Sequence, residues 1–268
     1  MVALAVRDKT PSAMLATHAH PSRSERYQFV DTTAIVDRLR SRGWIPREER
    51  QARTNKSENA GFQRHVIRFI NPSFGIRNKL PGAAETWPEI LLLNSHDGTA
   101  ACQIRCGLFE IVCENGLVVA SDEFMSARIL HKGASIEKVD VAIEAATTIF
   151  PAAYKLRGLM VEKQMSDEEM VDFARQASIF RVASDDDFRV NPASLLVAEF
   201  EEQESPTLWN VYNRVQRHLV TGGFSLIRKP NVERKQTTMA RRARPITNLS
   251  RDVHINEQLW ELALSYVA

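Results

Sequence analysis

Residues 91–119 read LLLNSHDGTAACQIRCGLFEIVCENGLVV, and the architecture of the chain turns on them. Two apolar runs, EILLLN (89–94) and TAACQIRCGLFEIVC (99–113), flank Ser95-His96-Asp97-Gly98. Asp-Gly between apolar runs marks a hairpin, because the tight turn needs positive φ that only a few residue types tolerate. Asn115-Gly116 supplies a second such mark before LVVA (117–120), so the segment predicts an antiparallel meander. Working upstream, FQRHVIRFI (62–70) is β-branched enough for another strand, joined by a Pro/Gly-rich connection over 71–88. Trp44-Ile45-Pro46 opens an extended, arginine-rich stretch to about Arg53, and TNKSENAG (54–61) is a turn-rich loop.

Outside the meander the apolar period lengthens to that of a helix. TTAIVDRLRSRG predicts a short helix capped by Asp31 or Thr32 and stopped by Gly43. Downstream, Ile136, Val139, Ile143, Ala146 and Phe150 make one stripe of a helix that Ser135 can cap. Ser166-Asp167-Glu168-Glu169 has the capping-box pattern ahead of MVDFARQAS. Asn191-Pro192 opens a helix through SLLVAEF, and Ser205-Pro206 opens another through TLWNVYNRVQRHLV, ending at Gly222-Gly223. A last helix is expected over 255–266. The expected fold is α+β: an antiparallel β meander in the first half packed with helices of the second half. Residues 1–26, weakly patterned, read as a flexible arm; 27–268 read as a single α+β domain, β-rich over 27–125 and α-rich over 130–268.

Composition narrows the class. The 268 residues are 44% hydrophobic and 25% charged, which provides for a real core and excludes low-complexity or collagen-like chains. Three cysteines are too few, and odd in number, for a disulfide scaffold. The apolar start MVALAV is broken at Arg7 and Asp8, and no run reaches the roughly 18 apolar residues of a membrane span. The expected location is the cytoplasm, with no membrane partner.

Net charge is only +2, yet it conceals segregation. Residues 162–204 hold twelve acidic side chains against four basic, a net of −8. Residues 228–244 hold seven basic against one acidic, net +6, and residues 23–68 eleven against six, net +5. In RKPNVERKQTTMARRAR (228–244), Arg228, Arg234, Lys235, Arg241, Arg242 and Arg244 can neutralise phosphates, with Thr237 and Thr238 adding hydroxyl contacts. A solvated loop, or one neutralised by the acidic segment, is the plainer alternative. Arg38, Arg40, Arg42, Arg47, Arg50 and Arg53 surround Trp44 and can extend a groove, although Trp44 reads first as a core residue.

Catalytic signatures are sparse. His96 beside Asp97, with Ser95 and Asn94, has the residue types of a base, its orienter and a nucleophile. Neighbours in a tight turn diverge, however, and turn chemistry alone explains Asp97-Gly98. Cys102 and Cys106, four strand residues apart, stand roughly 13 Å from one another, too far to share a metal. With Cys113 they read as buried thiols, and Met160, Met165 and Met170 read as packing. No phosphate loop, dinucleotide fingerprint, zinc-protease motif or nucleophile elbow is present. No cofactor, metal site or catalytic residue is assigned.

The block quoted first resembles a known pattern: Asn94-Ser95-x-Asp97-Gly98, then Gly107-Leu108-Phe109, then Val112-Cys113-x-Asn115-Gly116-Leu117-Val118. It is that of the phage/plasmid-like domain-of-unknown-function family 932, and TLWNVYNRVQRHLVTGG and INEQLWELA resemble its later blocks, with His218 a departure. The resemblance implies a protein carried by phages, plasmids and integrated elements, and no activity or cofactor. It draws attention to the polar cluster Asn94, His96, Asp97 and Asn115. A meander followed by helices is also similar, at the level of fold, to single-strand annealing proteins. The leading expectation is a non-enzymatic nucleic-acid-binding accessory protein, single-stranded DNA favoured. The second is an inhibitor that binds a host defence protein through the acidic segment. The third and weakest is a metal-dependent hydrolase or nuclease using His96 and Asp97.

Overall fold

The computed structural model describes residues 10–74, 86–110, 115–118, 127–129, 136–182, 188–228 and 239–267. The elements, in chain order, are α1 (Thr32–Ser41), β1 (Ile45–Gln51), β2 (His65–Ile70), β3 (Thr86–Asn94), β4 (Cys102–Glu110), β5 (Asn115–Val118) and β6 (Ala127–Ile129). There follow α2 (Ile136–Glu162), α3 (Asp167–Val182), β7 (Phe188–Val190), α4 (Leu208–Thr221), β8 (Ser225–Arg228), β9 (Met239–Arg242) and α5 (Leu249–Leu264). Strands dominate the first half and helices the second, so the chain is α+β. Among the described residues no helix is long and apolar enough to cross a membrane. The chain divides into two compact units: Met1–Ile76, Thr86–Phe109 and Ser121–Pro151 form one, and Arg77–Glu85, Glu110–Ala120 and Ala152–Ala268 form the other.

The first unit is built on the meander, strand order β1-β2-β3-β4, with β6 antiparallel to the start of β4. Gly98 turns the chain between β3 and β4 at φ +75°, the positive value that Asp-Gly requires. Every residue of β2 is buried, because both faces of this strand are covered. His65, Ile67 and Phe69 point to one face and Val66, Arg68 and Ile70 to the other. Asp31 caps α1 by accepting from the Thr33 amide at 2.8 Å, and Ile35 and Leu39 bury its apolar stripe. Trp44 is a core residue, its ring 5.6 Å from that of Phe150. From Ser12 onward the N-terminal segment lies on this unit. Met14 is buried and the His20 amide donates to the His96 carbonyl at 2.8 Å.

The second unit sets α3, α4 and α5 against one another and carries the antiparallel sheet β7-β8-β9. Trp209, Tyr212 and Trp260 fill its centre, with the Trp209 and Tyr212 rings stacked at 5.9 Å. The capping box forms reciprocally: the Ser166 amide donates to Glu169 Oε2 at 2.8 Å, and the Glu169 amide to Ser166 Oγ at 3.2 Å.

Several boundaries differ from expectation. α2 does not stop at Phe150 but runs through Pro151 to Glu162, sustained by the buried Ala153 and Met160 beyond the proline. No helix forms over SLLVAEF; Asn191-Pro192 opens only a 3-10 turn, Pro192–Leu195. The next carbonyls find partners on α4 instead, Leu196 accepting from Arg214 Nη1 at 3.1 Å and Val197 from His218 Nε2 at 2.9 Å. Thr207, not Ser205, caps α4. α5 begins at Leu249, capped by Asn248, because Asp252 and Asn256 are buried and paired rather than solvated. Asn115 and Gly116 are strand residues of β5 and not a described turn.

Candidate nucleic-acid interface

The basic run 228–244 becomes two paired strands, with its middle, including Arg234, Lys235, Thr237 and Thr238, outside the described residues. Register places Leu226 opposite Arg241, Ser225 opposite Arg242 and Arg228 opposite Met239. Arg241, Arg242 and Arg244 line a half-open cavity of about 490 Å³ with Arg181 from the end of α3 and Arg251 from the first turn of α5. Leu226 and Val182 supply its apolar wall, and among the described residues no carboxylate lines it. Arg228 stands on β8 outside this lining.

Contacts to a ring and to backbone carbonyls position four of the five guanidinium groups. Arg241 lies over the Phe188 ring, 3.8 Å from the centroid, a cation–π contact. Arg242 donates to the Gly223 carbonyl and Arg181 to the Arg244 carbonyl. Arg251 Nη2 donates to the Arg181 carbonyl at 2.7 Å. Burial, and then the positive charge of Arg251, lower the pKa of Arg181. That direction is the signature of a cation crowded by burial and by a like charge. Arg251 also sits near the positive end of the α5 dipole, where acidic groups are the stabilising choice.

Sequence reasoning missed Arg181 and Arg251, which lie outside the basic run. Arg181 reads locally as the usual cation of a last helical turn. The misplaced charge at the start of α5 was the available signal, and it needs the helix start at Leu249 to be seen.

The arginines of 38–53 lie on the other unit and are mostly engaged there. Arg47 Nη2 meets Glu89 at 3.4 Å and Glu48 at 3.6 Å, and Arg50 Nε meets Glu48 at 3.0 Å. Arg68 Nη1 donates to Glu89 Oε2 at 2.6 Å, so a buried network crosses β1, β2 and β3. Arg38 and Arg42 bracket Asp140 at 2.6 and 2.8 Å. Arg40, 3.8 Å from Asp37, is exposed, and so is Arg53.

The polar cluster of the first hairpin is an interior network. Asn94, Ser95, His96 and His65 are fully buried with Thr32. Thr32 Oγ1 lies 2.9 Å from His65 Nε2 and 3.2 Å from His96 Nε2, and Asn94 Nδ2 donates to it at 3.0 Å. His65 Nδ1–H donates to the Gln63 carbonyl at 2.9 Å, so its Nε2 accepts the Thr32 proton. The two Thr32 lone pairs then accept from Asn94 and from His96 Nε2–H. Burial pushes the His65 pKa down to about 4, against smaller opposing effects of the Gln63 carbonyl and Asp97, consistent with this neutral arrangement. Asp97 turns away from His96 and accepts from the Thr99 amide and hydroxyl at 3.0 and 2.6 Å. The Asn115 side chain, like Cys113, lies outside the described residues. Cys102 is buried, its thiol pushed up to about 12 by burial. Among the described residues no three His, Cys, Asp or Glu side chains cluster in a way that could hold a metal ion.

Two relatives from Escherichia coli (strain K12) align over 244 residues, 91% of this chain and 84% of each relative. They are UPF0380 protein YafZ at 31% identity and UPF0380 protein YfjQ at 30%. No solved structure matches the chain. Residues 19–260 match the family described as Domain of unknown function (DUF932), and the chain belongs to that family.

Proposed function

We propose that this chain is a non-enzymatic nucleic-acid-binding protein of a phage or plasmid element, acting in the cytoplasm on single-stranded DNA through the arginine cavity of its second unit. One observation carries the reading: five guanidinium groups line one cavity with no carboxylate among its described walls. Holding like charges together costs free energy, and a polyanion recovers it by displacing counterions. The contacts suit phosphate better than base edges, since Arg181, Arg242 and Arg251 are tied to backbone carbonyls, Arg241 lies over a ring, and among the described residues the cavity lining holds no Asn, Gln or Glu for base readout. Arg40 and Arg53, on the first unit, are candidates for further backbone contacts; Arg47 and Arg50 belong to the ion-pair network.

The test is fluorescence anisotropy with labelled single strands of several sequences, for the parent chain and for Arg241→Ala with Arg242→Ala. The substitutions are expected to weaken binding by similar factors for all sequences. They should also reduce the salt slope by about 0.7 for each phosphate that is no longer neutralised. Weakening confined to some sequences would assign base reading to these arginines. No binding by the parent at low salt would refute the proposal and turn attention to a host protein partner, with the acidic segment 162–204 the first surface to substitute.

A further inference from the structure

We infer that the arginine cavity is a receptor for the phosphorylated end of a nucleic-acid strand, a phosphomonoester, and not merely a stretch of groove along which the backbone passes. The inference rests on the nucleic-acid reading above and adds which part of the strand the cavity takes. Its first support is shape. Arginines that follow a running strand are strung along its path, one charge for each phosphodiester. Here Arg181, Arg241, Arg242, Arg244 and Arg251 converge from α3, β9, the segment after β9 and α5 on one cavity of about 490 Å³. That volume lies within the roughly 300–1,000 Å³ typical of sites for compact ligands.

Charge is the second support. An internal phosphodiester brings one negative charge, whereas a phosphomonoester brings about −1.5 to −2 at pH 7 and three strong acceptor oxygens. Several guanidinium groups around one point match the denser anion, and each can present a planar pair of donors to two of its oxygens. Pre-organisation is the third. The carbonyl bonds of Arg181, Arg242 and Arg251 each occupy a donor of a fork that has five. The side chains are therefore positioned before the ligand arrives, with donors remaining for it. The wall of Leu226 and Val182 displaces water beside the anion and strengthens its attraction to the arginines.

The experiment uses the full chain and three single strands of one sequence, carrying a 5′-phosphate, a 3′-phosphate, or hydroxyls at both ends. One phosphorylated strand is expected to bind about tenfold more tightly than the hydroxyl-ended strand, the worth of one or two added charge-assisted hydrogen bonds. Which one it is identifies the polarity. The preference should shrink below about pH 6, where the monoester takes up its second proton. It should disappear in Arg244→Ala with Arg251→Ala, and Arg244→Lys, which keeps the charge without the planar fork, should reduce it. Equal affinity of the parent for all three strands would overturn end recognition while leaving the backbone reading intact. A preference that survives the double substitution in a folded variant would overturn the assignment to this cavity. Failure of every strand to bind would overturn both.

Discussion

The arginines of residues 38–53 mostly end against carboxylates. Asp140 takes Arg38 and Arg42, Glu89 takes Arg47, and Glu48 takes Arg50. In the cavity of the second unit Arg241 lies over a phenylalanine ring, Arg181, Arg242 and Arg251 donate to backbone carbonyls, and no carboxylate lines the cavity among the described residues. Both stretches have a basic excess in the linear sequence, +5 over 23–68 and +6 over 228–244. The comparison teaches that local net charge is a poor guide to a binding surface. What matters is whether folding delivers the compensating carboxylates.

The sharpest way to break the comparison is to remove a carboxylate from the first unit. Glu89→Ala leaves Arg68 buried without its closest partner and should destabilise the protein by about 3–5 kcal/mol in urea unfolding. Arg241→Ala with Arg242→Ala should cost about 1 kcal/mol or less, because exposed cation–π and surface interactions are weak. Equal destabilisation by the two would remove the distinction between the arginines of the buried network and those of the cavity.

Acid probes the same contrast in the first unit. His65 has a folded pKa near 4 against about 6.5 when unfolded, so the unfolded chain binds the extra proton between these values. Its contribution is complete above about pH 6.5 and is lost as pH falls towards 4, amounting to about 3 kcal/mol. Protonation would give Thr32 three donors for two lone pairs. Unfolding titrations of the parent and His65→Gln between pH 7 and 4 should diverge in slope; parallel curves would deny His65 this role.

A smaller effect, about 1–3 kcal/mol, is expected from Gly98→Val, since a β-branched residue is strained at φ +75°. The Arg23 side chain that a new Cβ would meet can move aside, so backbone strain should dominate. Gly98→Asn, a residue that tolerates positive φ, should recover most of that stability in a thermal melt. The smallest effect expected is on oligonucleotide binding: Arg40→Ala with Arg53→Ala should lower the salt slope by less than the Arg241 and Arg242 pair does. A larger reduction would move the principal phosphate contacts to the first unit.

The meander was legible in the sequence because its determinants are local. Apolar runs alternate with Asp-Gly, and a turn that needs positive φ can be read from two adjacent residues. The capping box, the Asp31 cap and the glycine stop of α4 were legible for the same reason, each being satisfied within three or four residues. The sequence also contained the basic run and the family pattern around Asn94. It could not show that SLLVAEF forgoes a helix, because the carbonyls of Leu196 and Val197 are taken by Arg214 and His218 of a later element. Nor could it show that His96 faces Thr32 and His65 while Asp97 turns to Thr99. The cavity is the clearest case. Arg181, Arg241 and Arg251 come from three elements, and only the packing of α3, β9 and α5 brings their charges to one place. Coulomb energy depends on separation in space, and separation along the chain says little about it.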